Sequence, residues 1–275
     1  MKKLLLPALL LAASALLLLT LTNSCNNGDT GEGDTDTSTN ALAPKTLNFS
    51  VVKAYNHDTS SFTEGLLFYK GELFESTGMR GKSRIMKTDL ATGKIIQHKD
   101  LDSNYFGEGI VILNDTIYQL TYQEKIGFMY SAKDFKKIGE FKFSSEEGWG
   151  MTTDGKQIIA SDGTSTLYFY EPGTFRLLRT QVITEGGNLS FNINELEYVD
   201  GYIYANQWQS PYILKIDPAT GYVVAKADLS SITNQVKSNF PYAAELNGIA
   251  YNPTTKNLYV TGKYWPEMYE IKLTP

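Results

Sequence analysis

The stretch Tyr105-Phe106-Gly107-Glu108-Gly109-Ile110-Val111-Ile112-Leu113 decides how the rest of the chain is read. A carboxylate stands between two glycines, two aromatics precede it, and a short apolar run follows. Related openings occur at Thr63-Glu64-Gly65-Leu66, Gly148-Trp149-Gly150-Met151, Asn194-Glu195-Leu196-Glu197 and Leu246-Asn247-Gly248-Ile249. Taking Gly65, Gly109, Gly150, Leu196 and Gly248 as register marks, the separations are 44, 41, 46 and 52 residues. Repeats of about 40–50 residues, each with several strands, belong to propeller architectures.

Each unit repeats the same internal pattern. An apolar run leads to a turn such as Lys70-Gly71, Asn114-Asp115, Asp154-Gly155 or Asp200-Gly201, and a second apolar run follows. Such pairs between apolar runs are hairpin signals. Third strands are expected at Arg84 to Thr88, Gly127 to Ser131, Thr166 to Glu171, Tyr212 to Asp217 and Glu267 to Leu273. Four units show a further outer strand; the fifth stops after three. The strand-like segment Thr46 to Tyr55 is left over, and an unpaired edge is a liability. The expectation is an all-β, five-bladed β-propeller over residues 46–275, its ring closed by the N-terminal strand pairing with the last blade. The 18 Tyr and 13 Phe favour strands. Leu229 to Ser238 is the one stretch that reads as a short helix.

Ahead of this domain, Met1-Lys2-Lys3 and the apolar run Leu4 to Leu21 form an export signal. The run ends in Leu21-Thr22-Asn23-Ser24-Cys25, so residues 1–25 are read as a signal peptide whose sole cysteine, Cys25, is a lipidation site. The plain alternative is a free cysteine in a discarded leader. Residues 26–45, rich in Gly, Asp, Thr and Ser, read as a flexible tether. The protein is then exported and lipid-anchored in a bacterial cell envelope, touching a membrane only through that anchor. The net charge of -5 and the lack of a basic patch exclude nucleic acid as a partner. A monomer is expected.

First strands of a propeller begin near one mouth of its channel. Residues entering them here are Phe62, Glu64, Phe106, Glu108, Trp149, Asn194, Glu195 and Asn247; the ends of second strands add Tyr122, Asp162, Trp208 and Lys263. Aromatics with a few carboxylates, amides and one lysine suit a small polar ligand. Each has a plainer reading: Glu108 as a solvated acid at a tight strand entry, Trp149 as packing, Glu195 and Glu197 as caps, Lys263 as a surface cation, His57-Asp58 as a turn. Convergence of different polar groups at one structural position favours a site. With only His57 and His98 and no thiol in the mature chain, zinc hydrolysis is disfavoured, as are a nucleophile elbow and a phosphate loop. Carboxylate acid–base chemistry remains.

The set Phe62-Thr63-Glu64-Gly65-Leu66, Phe74-Glu75-Ser76-Thr77-Gly78, Phe106-Gly107-Glu108-Gly109, Gly148-Trp149-Gly150, Asn194-Glu195-Leu196-Glu197, Asn206-Gln207-Trp208 and Thr261-Gly262-Lys263 resembles the plant and bacterial type of glutaminyl-peptide cyclotransferase. The resemblance spans Tyr55 to Leu273. It implies a five-bladed propeller that closes the N-terminal glutamine of peptides or proteins to pyroglutamate and releases ammonia. It further implies Glu108 as the acid–base residue, Trp149, Asn194 and Lys263 as holders of the substrate amide and amine, and Phe62, Phe106 and Trp208 as the aromatic lining. Two positions depart from the family pattern: Glu64, where glutamine is usual, and Tyr122, where tryptophan is common; both are still taken as substrate-binding. No cofactor is required for catalysis, although a structural calcium in the channel is compatible with the residues. The competing function is a non-catalytic ligand-binding propeller or a calcium-dependent, lactonase-like one using Glu64, Glu108, Asn194 and Asn247.

Overall fold

The computed structural model describes residues 43–275. The export signal, Cys25 and nearly all of the tether lie outside the described residues. What is described is all-β, with one helix. After β1 (Lys45–Asn56) come three four-stranded antiparallel sheets in chain order. The first holds β2 (Thr63–Tyr69), β3 (Glu72–Thr77), β4 (Arg84–Thr88) and β5 (Ile95–Asp100). The second holds β6 (Gly107–Leu113), β7 (Thr116–Thr121), β8 (Ile126–Ser131) and β9 (Lys137–Lys142). The third holds β10 (Met151–Thr153), β11 (Ile158–Ser161), β12 (Thr166–Tyr170) and β13 (Leu177–Val182). A small hairpin not foreseen from the sequence, β14 (Thr184–Glu185) and β15 (Asn188–Leu189), turns on Gly186-Gly187. Then follow β16 (Ile193–Val199), β17 (Tyr202–Gln207), β18 (Tyr212–Ile216), β19 (Val223–Asp228), the helix α1 (Ser230–Asn239), β20 (Leu246–Asn252), β21 (Asn257–Gly262) and β22 (Glu267–Thr274).

Local chemistry explains the hairpins. Lys70-Gly71 has φ of +52° and +83°, and Asp200-Gly201 has +49° and +88°. Two consecutive positive φ angles make the two-residue turn whose twist matches the flanking strands. The N-terminal strand β1 runs antiparallel to β22 from Asn48↔Thr274 to Asn56↔Glu267, and its first residues, Lys45 to Leu47, also pair in parallel with Ala225 to Ala227 of β19. One eight-stranded sheet results, in the order β16-β17-β18-β19-β1-β22-β21-β20.

First strands lie beside one another: β2 against β6 and β20, β6 against β10, and β16 against both β10 and β20. The core sits between sheets. Ile110 and Ile112 face Leu67, Phe74 and Ile85 of the first sheet, whereas Val111 faces Met151, Ile158 and Tyr170 of the third. That alternation is the period-two geometry of a strand buried on both faces. Leu66, Leu73, Ala250, Tyr259 and Met268 fill the space between β20–β22 and the first sheet. In every antiparallel set the entry to the first strand and the exit of the second lie at the same end, and those loops carry the candidate residues.

His57, read from the sequence with Asp58 as a turn, comes just before the turn that Asp58 opens (Ser61 N–H donates to Asp58 O at 2.9 Å), and its side chain is buried just beyond β1. Its Nδ1 lies 2.8 Å from Trp265 O and its Nε2 lies 3.1 Å from Glu75 Oε1. A backbone carbonyl on one side and a carboxyl on the other favour the doubly protonated, cationic ring. Burial by itself would hold its pKa down, but Glu75 and the Trp265 carbonyl outweigh burial and raise it above 6.5. Removing one member of a buried pair strands the other, at about 3–5 kcal/mol; Glu75→Ala is expected to lower unfolding free energy by that amount in urea denaturation. Because the histidine pKa is raised on folding, its contribution is complete below about 6.5 and fades as pH rises through the folded value. The melting-temperature gap between wild type and His57→Gln should therefore narrow toward alkaline pH.

Candidate active site

The first strands do not pair evenly with their neighbours where they begin. Thr63 faces Thr77 and Gly65 faces Ser76, leaving Glu64 out of register. The ladder skips in the same way across Glu108-Gly109, Asn194-Glu195 and Asn247-Gly248. These are β-bulges, which turn the extra side chain away from the ladder and gather at active sites. The glycine marks follow from the crowding this creates. A Cβ on Gly65 would stand 2.7 Å from Ile110 N, and one on Gly109 would stand 2.4 Å from Trp149 O.

A cavity of about 1020 Å³ opens over these bulges. Glu108, Phe62, Glu64, Phe106, Tyr122, Trp149, Asn194, Trp208 and Lys263 all line it. The bulge residues Glu64, Glu108 and Asn194 are buried at its base, at 2%, 5% and 3% exposure. The residues two positions before Glu64, Glu108, Trp149, Asn194 and Asn247, namely Phe62, Phe106, Glu147, Asn192 and Glu245, are only partly buried and line the wall above. Between them, backbone N–H groups of the second-strand exits tie the wall together: Gly78 to Phe62 O, Tyr122 to Phe106 O, Trp208 to Asn192 O and Lys263 to Glu245 O, all at 2.8–3.0 Å. Gly78 occupies in the first sheet the place that Tyr122, Trp208 and Lys263 fill elsewhere. A Cβ there would lie 2.4 Å from the Phe106 ring.

Two of the sequence candidates sit elsewhere. Asn247 does not line the cavity; its amide donates to Thr63 O at 2.9 Å and Glu64 Oε2 at 3.1 Å. Glu195 is buried beneath, where its carboxylate accepts from Leu66 N at 3.2 Å and Ile249 N at 2.8 Å. It straps strands together and is neither a cap nor a mouth residue. The sequence reading also missed Glu147, Asn192 and Glu245. The signal was available: each stands two residues before a strand-entry candidate (Trp149, Asn194 or Asn247), as Phe62 and Phe106 stand two before Glu64 and Glu108.

The electrostatics divide the carboxyls. Lys263 Nζ donates to Glu64 Oε1 at 2.7 Å and lies 4.2 Å over the Phe62 ring. Burial nevertheless pushes Glu64 up to about 7, against the pull of Lys263. Burial lifts Glu108 well above the ordinary carboxyl range, and neighbouring Glu64 adds to the lift. Among the described residues no group hydrogen-bonds the Glu108 carboxyl. Glu147 accepts the Trp149 indole N–H at 3.0 Å, and Trp149 meets Trp208 edge-on at 5.7 Å. Tyr122 packs on Phe106 at 5.7 Å. No group of three or more His, Cys, Asp or Glu side chains arranged to hold a metal occurs among the described residues. Glu64, one of the four residues that suit a calcium, is engaged by the Lys263 ammonium.

The chain matches the glutamine cyclotransferase family over residues 20–273. An Arabidopsis thaliana protein named glutaminyl-peptide cyclotransferase is 39% identical over 234 residues, 84% of this chain and 73% of that protein. The crystal structure of Myxococcus xanthus glutaminyl cyclase is similar with a TM-score of 0.78 and 35% identity, over 84% of this chain and 98% of that one.

The indole of Trp149 rests on Gly163, which has φ +77° and whose added Cβ would stand 2.5 Å from Trp149 Cζ2. Gly163→Ala is expected to destabilise the fold by about 1–2 kcal/mol through the left-handed backbone. It should also displace the indole, raising KM several-fold and changing the near-ultraviolet dichroism of the folded protein.

Proposed function

The chain belongs to the glutamine cyclotransferase family and converts the N-terminal glutamine of peptides to pyroglutamate, and we propose that Glu108 carries the proton on which this conversion turns. The observation behind the assignment is its carboxyl: buried, raised in pKa, without a hydrogen-bond partner among the described residues, and at the base of the cavity. The substrate α-amine titrates near ~8 and is largely protonated at neutral pH. Glu108 takes one proton from it. The freed nitrogen attacks the side-chain amide carbon, a new C–N bond forms, and the old C–N bond breaks. Glu108 returns the proton to the departing nitrogen, and the ring nitrogen sheds its second hydrogen as the old C–N bond breaks, so the leaving group departs as ammonia and ends as ammonium. Positioned proton transfer of this kind contributes roughly 10²–10⁴ in rate.

The remaining lining supplies orientation. Nucleophile and electrophile belong to one residue, so holding it folded removes much of the barrier. Phe62, Phe106, Tyr122 and Trp208 enclose it, while Asn194, Trp149 and Lys263 offer donors to the amide oxygen as it gains charge. Glu147 and Glu64 hold the last two donors in position until substrate arrives. Glu146, Glu147, Asp162 and Glu245 give the upper lining an excess of carboxylates, while the single lining cation, Lys263, is held by Glu64, so the wall attracts an ammonium terminus.

The five strand sets are read as blades of a five-bladed β-propeller whose ring is closed by β1. The pairing of β1 with β22 and the packing of β20 on β2 support that reading. The protein acts as a monomer, exported and lipidated at Cys25, with no cofactor needed for turnover.

Glu108→Gln should fold normally and lose roughly 10²–10⁴ in kcat, measured as ammonia release from an N-terminal glutaminyl dipeptide; near-normal turnover would remove Glu108 from the role. Chelator should leave wild-type turnover intact, and loss of turnover would favour a metal-dependent site. Glu64→Gln removes a negative neighbour and so eases ionisation of Glu108. The acid limb of its kcat/KM profile is expected at lower pH than in wild type. Cys25→Ala should move the protein from the membrane to the soluble fraction of the envelope.

A further inference from the structure

Beside the cavity lies a second concavity of about 610 Å³, bounded by Thr59, Lys82, Phe240, Tyr242, Ala243 and Tyr264. Two stretches of chain separate the two. Lys263 lines the cavity and its neighbour Tyr264 lines the groove; Glu245 lines the cavity and Ala243, two residues earlier, lines the groove. These stretches are tied together. Lys263 N–H donates to Glu245 O at 2.9 Å, Ala244 N–H donates to Lys263 O at 2.8 Å, and the Trp265 indole donates to Ala244 O at 3.0 Å. On the cavity side the Phe62 ring meets the Tyr264 ring at 5.2 Å. The groove therefore lies one layer of chain away from the substrate site.

Two features set it apart from ordinary surface. Tyr242 is 92% exposed and Phe240 42% exposed, either side of Pro241. Tyr264 holds φ +61°, a left-handed conformation uncommon for a bulky residue. Its N–H is held by Ser61 O at 2.7 Å. Strain of this kind persists where surroundings over-determine it, and it clusters at ligand sites.

The reaction engages only the first residue of a polypeptide, so the rest of the substrate must leave the cavity. A cavity of this size already matches the upper end of the range, about 300–1,000 Å³, that holds a drug-sized ligand. It has room for more than one residue. Its lining is acidic, whereas the groove offers exposed aromatic surface and Lys82. Tyrosine gives large contact area for little lost freedom.

We propose that this groove is an extended subsite that takes an apolar or aromatic side chain of the substrate polypeptide, several residues after the N-terminal glutamine, with Tyr242 as its main contact. The proposal rests on the cyclotransferase reading above. Ammonia release is to be measured with a glutaminyl-glycine dipeptide and with two decapeptides carrying either Phe or Ser at positions four to six. Wild type should favour the Phe peptide by about tenfold in kcat/KM, the scale of one good aromatic contact. Tyr242→Ala should bring that ratio near one and leave the dipeptide unchanged, while Tyr242→Phe should keep most of the preference. The subsite is overturned if wild type shows no preference, if Tyr242→Ala leaves the ratio intact, or if the variant slows dipeptide and decapeptides alike. A change in sedimenting mass in place of a change in peptide preference would make the groove a self-association surface and overturn it too. No dipeptide turnover by wild type would instead overturn the cyclotransferase reading, and the subsite with it.

Discussion

A mismatch in strand pairing underlies the site. Where β2, β6, β16 and β20 begin, residues are left out of register with the neighbouring second strand. An even ladder would send alternate side chains into the spaces between sheets, where Leu66, Ile110 and Ile249 belong. The bulge frees one residue from that alternation. It allows Glu64, Glu108 and Asn194 to reach a cavity while Leu66, Ile110 and Leu196, two positions on, resume core packing. Adjacent first strands approach so closely there that Gly65 and Gly109 have no room for a side chain.

Four of the five glutamates buried among the described residues show how differently one residue type is used. Glu75 is paired with His57 and also accepts the Thr63 hydroxyl at 2.7 Å. Glu195 accepts two backbone N–H groups, and Glu64 is held by Lys263 and Asn247. Each of these has its charge or lone pairs answered, as buried polar groups normally do. Glu108 alone has no such partner among the described residues. A buried carboxyl left in that condition is poorly placed to stabilise the fold and well placed to exchange a proton with whatever enters the cavity. Glu64 contributes at a distance, since two neighbouring carboxyls ionise less readily than one. The His57–Glu75 pair lies close behind: Thr63 precedes Glu64, and Thr261, whose hydroxyl lies 3.3 Å from His57 Nδ1, sits two residues before Lys263. The Glu64–Lys263 contact is thus braced from beneath by a second buried ion pair.

Much of this was legible because the chain repeats itself. Hairpin turns such as Lys70-Gly71 and Asp200-Gly201 are local chemistry, and their φ values require no distant partner. The openings around Glu64, Glu108, Trp149 and Asn194 recur at one structural position, so a single recognised unit identified the others. Extending the same period-two logic two residues back would also have found Glu147, Asn192 and Glu245. The errors fell where the repeat carries unlike residues. Glu195 stands where the four other units have glycine (Gly65, Gly109, Gly150 and Gly248), and nothing local says that its carboxyl spans to Leu66 and Ile249. The ion pair of His57 was not legible because its partners, Glu75 and Trp265, stand 18 and 208 residues away.

By itself the sequence determined the strand content, the turns, the repeat and the residues brought to one end, because period, propensity and glycine placement act within a few residues. Tertiary structure alone decided which carboxyl is paired and which is left unpartnered. Glu64 meets Lys263 across 199 residues of chain. Burial, proximity of like charges and donor geometry, which set the proton affinity of Glu108, exist only once the sheets have packed.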